Sequence, residues 1–151
     1  MELQYRKMTV EDLPAVFSVR LSTIENAITM EELDEDYDIT PHSLAEAMRS
    51  HVCGWLCEDS GVVVGFSMGD RSNGEVQVVA VFPEYEGNGI GKTLLSQVQN
   101  WLYSAGYREI WLGTNPDPTL RAYGFYRKLG WQATGKMKGE DEIMIFRFSE
   151  D

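Results

Sequence analysis

Apolar residues in this chain recur with two periods, and each change of period marks a predicted element. Leu94, Leu95, Val98, Trp101, Leu102 and Ala105 repeat at helical spacing, with Gly106 placed as the C-terminal cap. Leu13, Val16, Phe17, Arg20, Leu21 and Ile24 do the same behind Thr9-Val-Glu-Asp12, where Thr9 is the predicted N-cap. A further helix is expected from the Thr40-Pro41 pair to about Ser50, with Leu44, Ala47 and Met48 inward. A short one follows Pro116 and Pro118, running from Thr119 and ending at Gly130.

Between these lie strand patterns. Leu3 to Met8 opens the chain. Val52–Glu58, Val62–Asp70 and Glu75–Phe82 follow one another through the turns Asp59-Ser60-Gly61 and Ser72-Asn73-Gly74. Glu109–Leu112 reads as a buried strand, and Trp131–Met137 with Glu142–Phe148 as a hairpin around Lys138-Gly-Glu-Asp141. Strands interleaved with helices in this order predict an α/β (α+β) domain, a mixed sheet flanked on both sides.

Composition narrows the picture. A chain of 151 residues predicts one domain spanning 1–151, and 43% hydrophobic with 25% charged residues places it among soluble globular proteins. No apolar run reaches membrane-spanning length, and Glu2, Arg6 and Lys7 do not make a secretory signal, so a cytoplasmic location is expected. A formal net charge of −11 argues against nucleic acid and anionic membrane as partners and favours a cationic one. Cys53 and Cys57 share one strand face, too far apart to bridge, and no zinc spacing accompanies them. His42 and His51 are isolated and expected at the surface. No metal site is expected.

The chemistry-bearing stretch is Glu86-Gly87-Asn88-Gly89-Ile90-Gly91, between the strand that ends near Pro83 and the longest helix. Glycines at alternate positions let a ligand approach the backbone. Their N–H groups, with Lys92 and Thr93 in the first helical turn and the positive end of the helix dipole behind them, suit phosphate oxygens. A P-loop would need a glycine where Glu86 stands, and the spacing is not G-x-G-x-x-G, so a nucleotide triphosphatase or a dehydrogenase is not expected.

The strand ending in Val81-Phe-Pro83, the glycine loop, and the later Ala122, Tyr126, Lys128, Gly130 and Trp131 together resemble the GNAT family of N-acetyltransferases. The resemblance implies a mostly antiparallel sheet of six to seven strands with about four helices. It also implies acetyl-CoA as acyl donor, its pyrophosphate held at residues 86–93. Thr119 and Ala122 fall at cofactor-facing motif positions. The backbone of Val79, Ala80 and Val81 is where the family holds the pantetheine arm. Tyr126 falls where many members carry the acid that protonates the departing thiolate. Glu75 is either the general base that some members place on this strand or a solvated strand end. Two residues depart from the family pattern: Glu86 replaces Arg or Gln beside a diphosphate, and Thr119 stands where Asn is common. Arg121, Arg127 and Lys128 are candidates for the CoA 3′-phosphate or a solvated helix face.

The same resemblance implies an acceptor amine, met at the loop after the first helix. Here that loop carries Glu25, Glu31, Glu32, Asp34, Glu35, Asp36 and Asp38 without Lys or Arg, which suits a small cationic amine or a peptide amine. The alternative is a catalytically silent acyl-CoA-binding module. Homodimerisation through sheet edges or exposed aromatics stays open.

Overall fold

Most of the expected elements are present in the computed structural model, which describes residues 1–22 and 41–149. Ile24, the acidic run and the Thr40 cap lie outside the described residues. Strand β1 is Leu3–Lys7 and is followed by a 3-10 turn, Val10–Asp12, and helix α1, Leu13–Ser22. Helix α2 is Pro41–Met48, and β2, β3 and β4 are Val52–Asp59, Val62–Asp70 and Glu75–Val81. Helix α3, Ile90–Ser104, leads to β5, Glu109–Thr114. Helix α4 is Arg121–Lys128, and β6 (Gln132–Lys138) and β7 (Asp141–Arg147) close the fold. No helix of the described residues is long and apolar enough to cross a membrane.

The start of α1 is built from side chains as the sequence predicts. Asp12 Oδ2 accepts the Thr9 N–H at 2.8 Å and the Thr9 hydroxyl at 3.1 Å, and Arg6 grips both Asp12 oxygens at 2.8 Å while its Nε donates to Glu58 at 3.0 Å. The Arg6 guanidinium holds the Asp12 carboxyl at about 2, below its ordinary 3.8. β1, the helix entry and β2 are thereby tied at one point. At the far end of α3, Gly106 takes φ +108° as a terminating glycine, whereas Ala105, expected on the apolar face, is exposed because the helix has already ended.

The seven strands form one sheet in the order β1-β2-β3-β4-β5-β7-β6. Every neighbouring pair is antiparallel except β4 and β5, whose parallel pairing is limited to Glu75 opposite Trp111. Beyond that pair the two strands have no further register, so a gap opens toward the C-terminal ends of both.

A bulge in β4 prepares the gap. Met68 of β3 faces Val78 and the next residue, Gly69, faces Val76, which leaves Gln77 as an extra residue. In a regular strand Val76 and Ala80 would share a face. Here Ala80 packs with Leu13, Val16 and Phe17 of α1, whereas Val76 packs with Leu95, Val98 and Leu102 of α3. The sheet thus has α1 and α2 on one face and α3 and α4 on the other, with an apolar core on each. Cys53 and Cys57 are both buried and free.

Candidate active site

The site is assembled at the β4–β5 gap. Val79, Ala80 and Val81 pair with Ser67, Phe66 and Gly65 of β3 on one side, and among the described residues no strand pairs with their other edge. An extended chain could add there as a strand does. The glycine loop follows directly at the open end of the gap, after the 3-10 turn Pro83–Tyr85.

The three loop glycines have two different reasons to be glycine. Gly87 and Gly89 hold φ +85° and +77°, and a Cβ on either would meet nothing within 4 Å. They are glycine for backbone shape, and they face open space. Gly91 differs: a Cβ there would stand 3.3 Å from Cζ of Phe125, so its glycine lets α4 pack against the start of α3. Asn88 braces the loop, its Nδ2 donating to the Tyr85 carbonyl at 2.9 Å. Gly89 is the N-cap of α3, and its carbonyl accepts both the Thr93 N–H at 3.1 Å and the Thr93 hydroxyl at 3.0 Å. Ile90 is buried in the apolar cluster with Leu94 and Val64, so only its backbone is available to a ligand, while Lys92 is exposed. The loop presents amides at the N-terminus of a fifteen-residue helix, a good anion cradle.

Glu86 does not stand there as a lone carboxylate. Its Oε2 lies 3.4 Å from Nε of Arg121, the first residue of α4. Motif reading treats Glu86 as a repulsive substitution. The fold supplies a guanidinium from another element that offsets it.

Helix α4 begins later than expected, which moves Thr119 out of it. The Asp117 carboxylate accepts the Thr119 N–H at 2.9 Å and its hydroxyl at 2.8 Å. That local turn competes with helix formation, and Leu120, extended at ψ 146°, becomes the N-cap. Thr119 therefore sits in the turn before the helix, its hydroxyl already engaged. Ala122 is half-buried against the α3-side cluster.

Tyr126 is buried, at 8% exposure, with its ring centroid 5.0 Å from Phe125 and 5.9 Å from Trp131 in edge-on contacts. It belongs to the same cluster as Val76. Glu75 precedes Val76, so alternation puts its carboxylate on the opposite face of the sheet. Tyr126 and Glu75 thus stand on opposite faces of the sheet, Glu75 at the paired end of the β4–β5 junction. Burial raises the Glu75 carboxyl above its ordinary value, Lys138 and a hydrogen bond with Asn73 lower it, and Asp70 adds a further rise. A partly desolvated, raised carboxyl is a better proton acceptor from an amine than an exposed one.

Motif reading missed Asp141, which it placed in a turn. A Cβ on Gly113 of β5 would stand 3.4 Å from Asp141 Cβ and 3.6 Å from its Oδ2. Gly113 and Trp111 alternate with the buried Ile110 and Leu112, so Asp141 is on the Glu75 face. Desolvation raises its carboxyl too, with Glu140 adding and Arg20 and Lys138 opposing. Lys138 lies over the Trp111 ring, 5.1 Å from its centre, and acts on both carboxylates. Only the pairing of β5 with β7 brings these groups together. Of the other basic candidates, Arg127 stacks on Tyr123 at 3.7 Å and reaches Glu142 at 3.3 Å, and Lys128 is exposed.

Known proteins share this fold. Residues 16–131 match the family model described as the acetyltransferase (GNAT) family. The PaiA N-acetyltransferase of Thermoplasma acidophilum, solved in complex with coenzyme A, superposes with a TM-score of 0.81 at 21% identity, over 98% of this chain and 100% of that one. YncA of Salmonella typhimurium, solved with its cofactor acetyl-CoA, gives 0.74 at 17% identity over 100% and 96%. The ribosomal-protein-S18-alanine N-acetyltransferase of Escherichia coli gives 0.71 at 18% over 99% and 96%. At these identities the structures establish a common fold.

Proposed function

The chain belongs to the acetyltransferase (GNAT) family and is an acyltransferase, and from that premise we propose that it moves an acetyl group from acetyl-CoA to a primary amine by direct attack. The observation that carries the reading is the single-pair junction of β4 and β5, with the glycine loop at its open end. The diphosphate is bound by the amides around Gly87 to Lys92, and the pantetheine arm lies along Val79, Ala80 and Val81. Arg121, held beside Glu86, adds the positive charge that the loop lacks.

The amine reaches the thioester from the Glu75 face. Glu75 takes its proton, directly or through water, as the nitrogen attacks the carbonyl carbon. A β4 amide steadies the oxyanion, and Tyr126, from the other face, gives its proton to the leaving CoA sulfur. No enzyme nucleophile is needed, because the thioester is already activated. Two carboxylates on the acceptor face, Glu75 and Asp141, support a cationic amine or a peptide amine as substrate.

The test is thiol release from acetyl-CoA with a panel of polyamines, aminoglycosides and peptides, beside calorimetry with CoA. Saturable binding and turnover with at least one cationic amine is expected. Binding without turnover on any amine would favour a silent acyl-CoA-binding module, and no binding of CoA or acetyl-CoA by folded protein would end the proposal.

A further inference from the structure

A second feature lies at the opposite end of the sheet from the glycine loop, where β1 and β3 end and β2 and β4 begin. A cavity of about 220 Å³ is lined there by Lys7, Arg49, His51 and Arg71, with Met8 and Trp101 also in its lining. Trp101 is eleven residues along α3 from Ile90, which is about 16 Å of helix, so this cavity is separate from the diphosphate cradle.

Its charge is unusual for this chain. The protein carries 24 acidic and 13 basic residues, yet the lining includes three of those basic side chains, a histidine and no carboxylate. One of the cations is held by a neutral group. Arg71 donates from one terminal nitrogen to the Ser50 carbonyl at 2.7 Å, and the Lys7 ammonium stands near enough to the Cys53 thiol to oppose the rise that burial gives its pKa. Among the described residues neither has a carboxylate within salt-bridge distance, whereas Arg49 is paired with Glu46 at 2.6 Å and His51 stands 3.8 Å from Asp70. Ser50 Oγ and His51 Nδ1, 2.7 Å apart, fix the imidazole. The cations come from β1, from the turn after α2, and from the end of β3. Gathering them costs repulsion that an anion would relieve.

The uncharged side chains narrow the ligand. Met8, Val52 and Cys53 are buried at 4%, 5% and 7% exposure, and the Trp101 ring forms one wall. The volume is below the range of drug-sized sites. We propose that this cavity binds a small oxyanion joined to a compact apolar group, the oxygens meeting Arg71 and Lys7 and the apolar part lying against the Trp101 ring.

The test uses phenyl phosphate, benzoate and inorganic phosphate as probes of the full chain with CoA saturating, so that the glycine loop is occupied. Calorimetry and the indole NMR signals of Trp101 report binding. Stoichiometric binding of phenyl phosphate or benzoate, tighter than inorganic phosphate, is expected, and which of the two is tighter identifies the oxyanion. Arg71→Gln and Lys7→Gln should each weaken it about tenfold, the loss of one charge-assisted contact, with CoA affinity unchanged. Should Arg71→Gln unfold by losing its bond to Ser50, Lys7→Gln, which removes no backbone bond, decides the matter. Failure of both aromatic probes to bind, or unchanged affinity in folded Lys7→Gln protein, overturns the proposal. Because CoA binding is read separately, its absence would count against the acetyl-transfer reading and not against this one.

Discussion

Arg121 of α4 and Glu86 of the glycine loop, thirty-five positions apart in sequence, stand 3.4 Å from each other at the mouth of the β4–β5 gap. The pair is half-exposed, so it contributes little to stability. Its consequence is for ligand charge. Arg121→Ala should leave Glu86 facing a diphosphate alone and weaken CoA binding about tenfold, or about 1.4 kcal/mol. Adding Glu86→Gln to that variant should recover most of the loss. Titration calorimetry at low and high salt checks both, and a double variant no better than the single one would show that Glu86 does not repel the ligand.

Gly89 and Gly91 should fail in different ways. A side chain at Gly89 must either hold φ +77°, at a cost of about 1–2 kcal/mol, or relax the loop and turn the cradle's amides. Gly89→Val should abolish measurable CoA binding while the fold survives. Gly91→Ala instead presses on Phe125 and should lower the melting temperature with a smaller loss of affinity. Thermal unfolding read beside calorimetry separates the two.

Tyr126→Phe keeps the ring contacts with Phe125 and Trp131 and removes only the hydroxyl. Turnover should fall about 100-fold, the scale of a lost general acid, with CoA affinity nearly unchanged. Equal turnover in the variant would remove Tyr126 from the acid role.

The acid limb of the kcat/KM profile should report Glu75, with a midpoint above an isolated glutamate's because burial raises it. Lys138 favours the charged carboxylate, so Lys138→Met should move that midpoint to higher pH. A profile that ignores Lys138 and persists in Glu75→Gln would transfer the base role to water.

Acid stability should depend on Arg6. Asp12 titrates at about 2 when folded against an ordinary 3.8, so its contribution is complete above about pH 4 and is lost as pH falls toward 2. Arg6→Met should cost about 1 kcal/mol at pH 7, since Arg6 is partly exposed, and should flatten the stability curve over that window. Urea unfolding at pH 7, 4 and 2.5 measures it.

Local chemistry was enough to read the elements and the glycine loop. Periodicity placed α3 and its Gly106 end, the turns at Ser60-Gly61 and Gly74 bounded β3, and the alternate glycines placed the loop before α3. These features depend on neighbours within a few residues, so a sequence displays them directly. α4 starts later than the spacing predicts because the Asp117 side chain captures Thr119, a competition that propensity alone does not rank.

What required the tertiary structure were contacts between distant segments. The extra residue Gln77, which sends Val76 and Ala80 to opposite faces, is visible only in the register with β3. Arg121 beside Glu86, Asp141 over Gly113, and the cations around Trp101 each join elements that lie far apart in the chain. Backbone conformation is decided locally by sterics and hydrogen bonds, and so it is written residue by residue. The electrostatics of a site depends on which charges the sheet order brings within a few ångströms, and that order is a property of the whole fold.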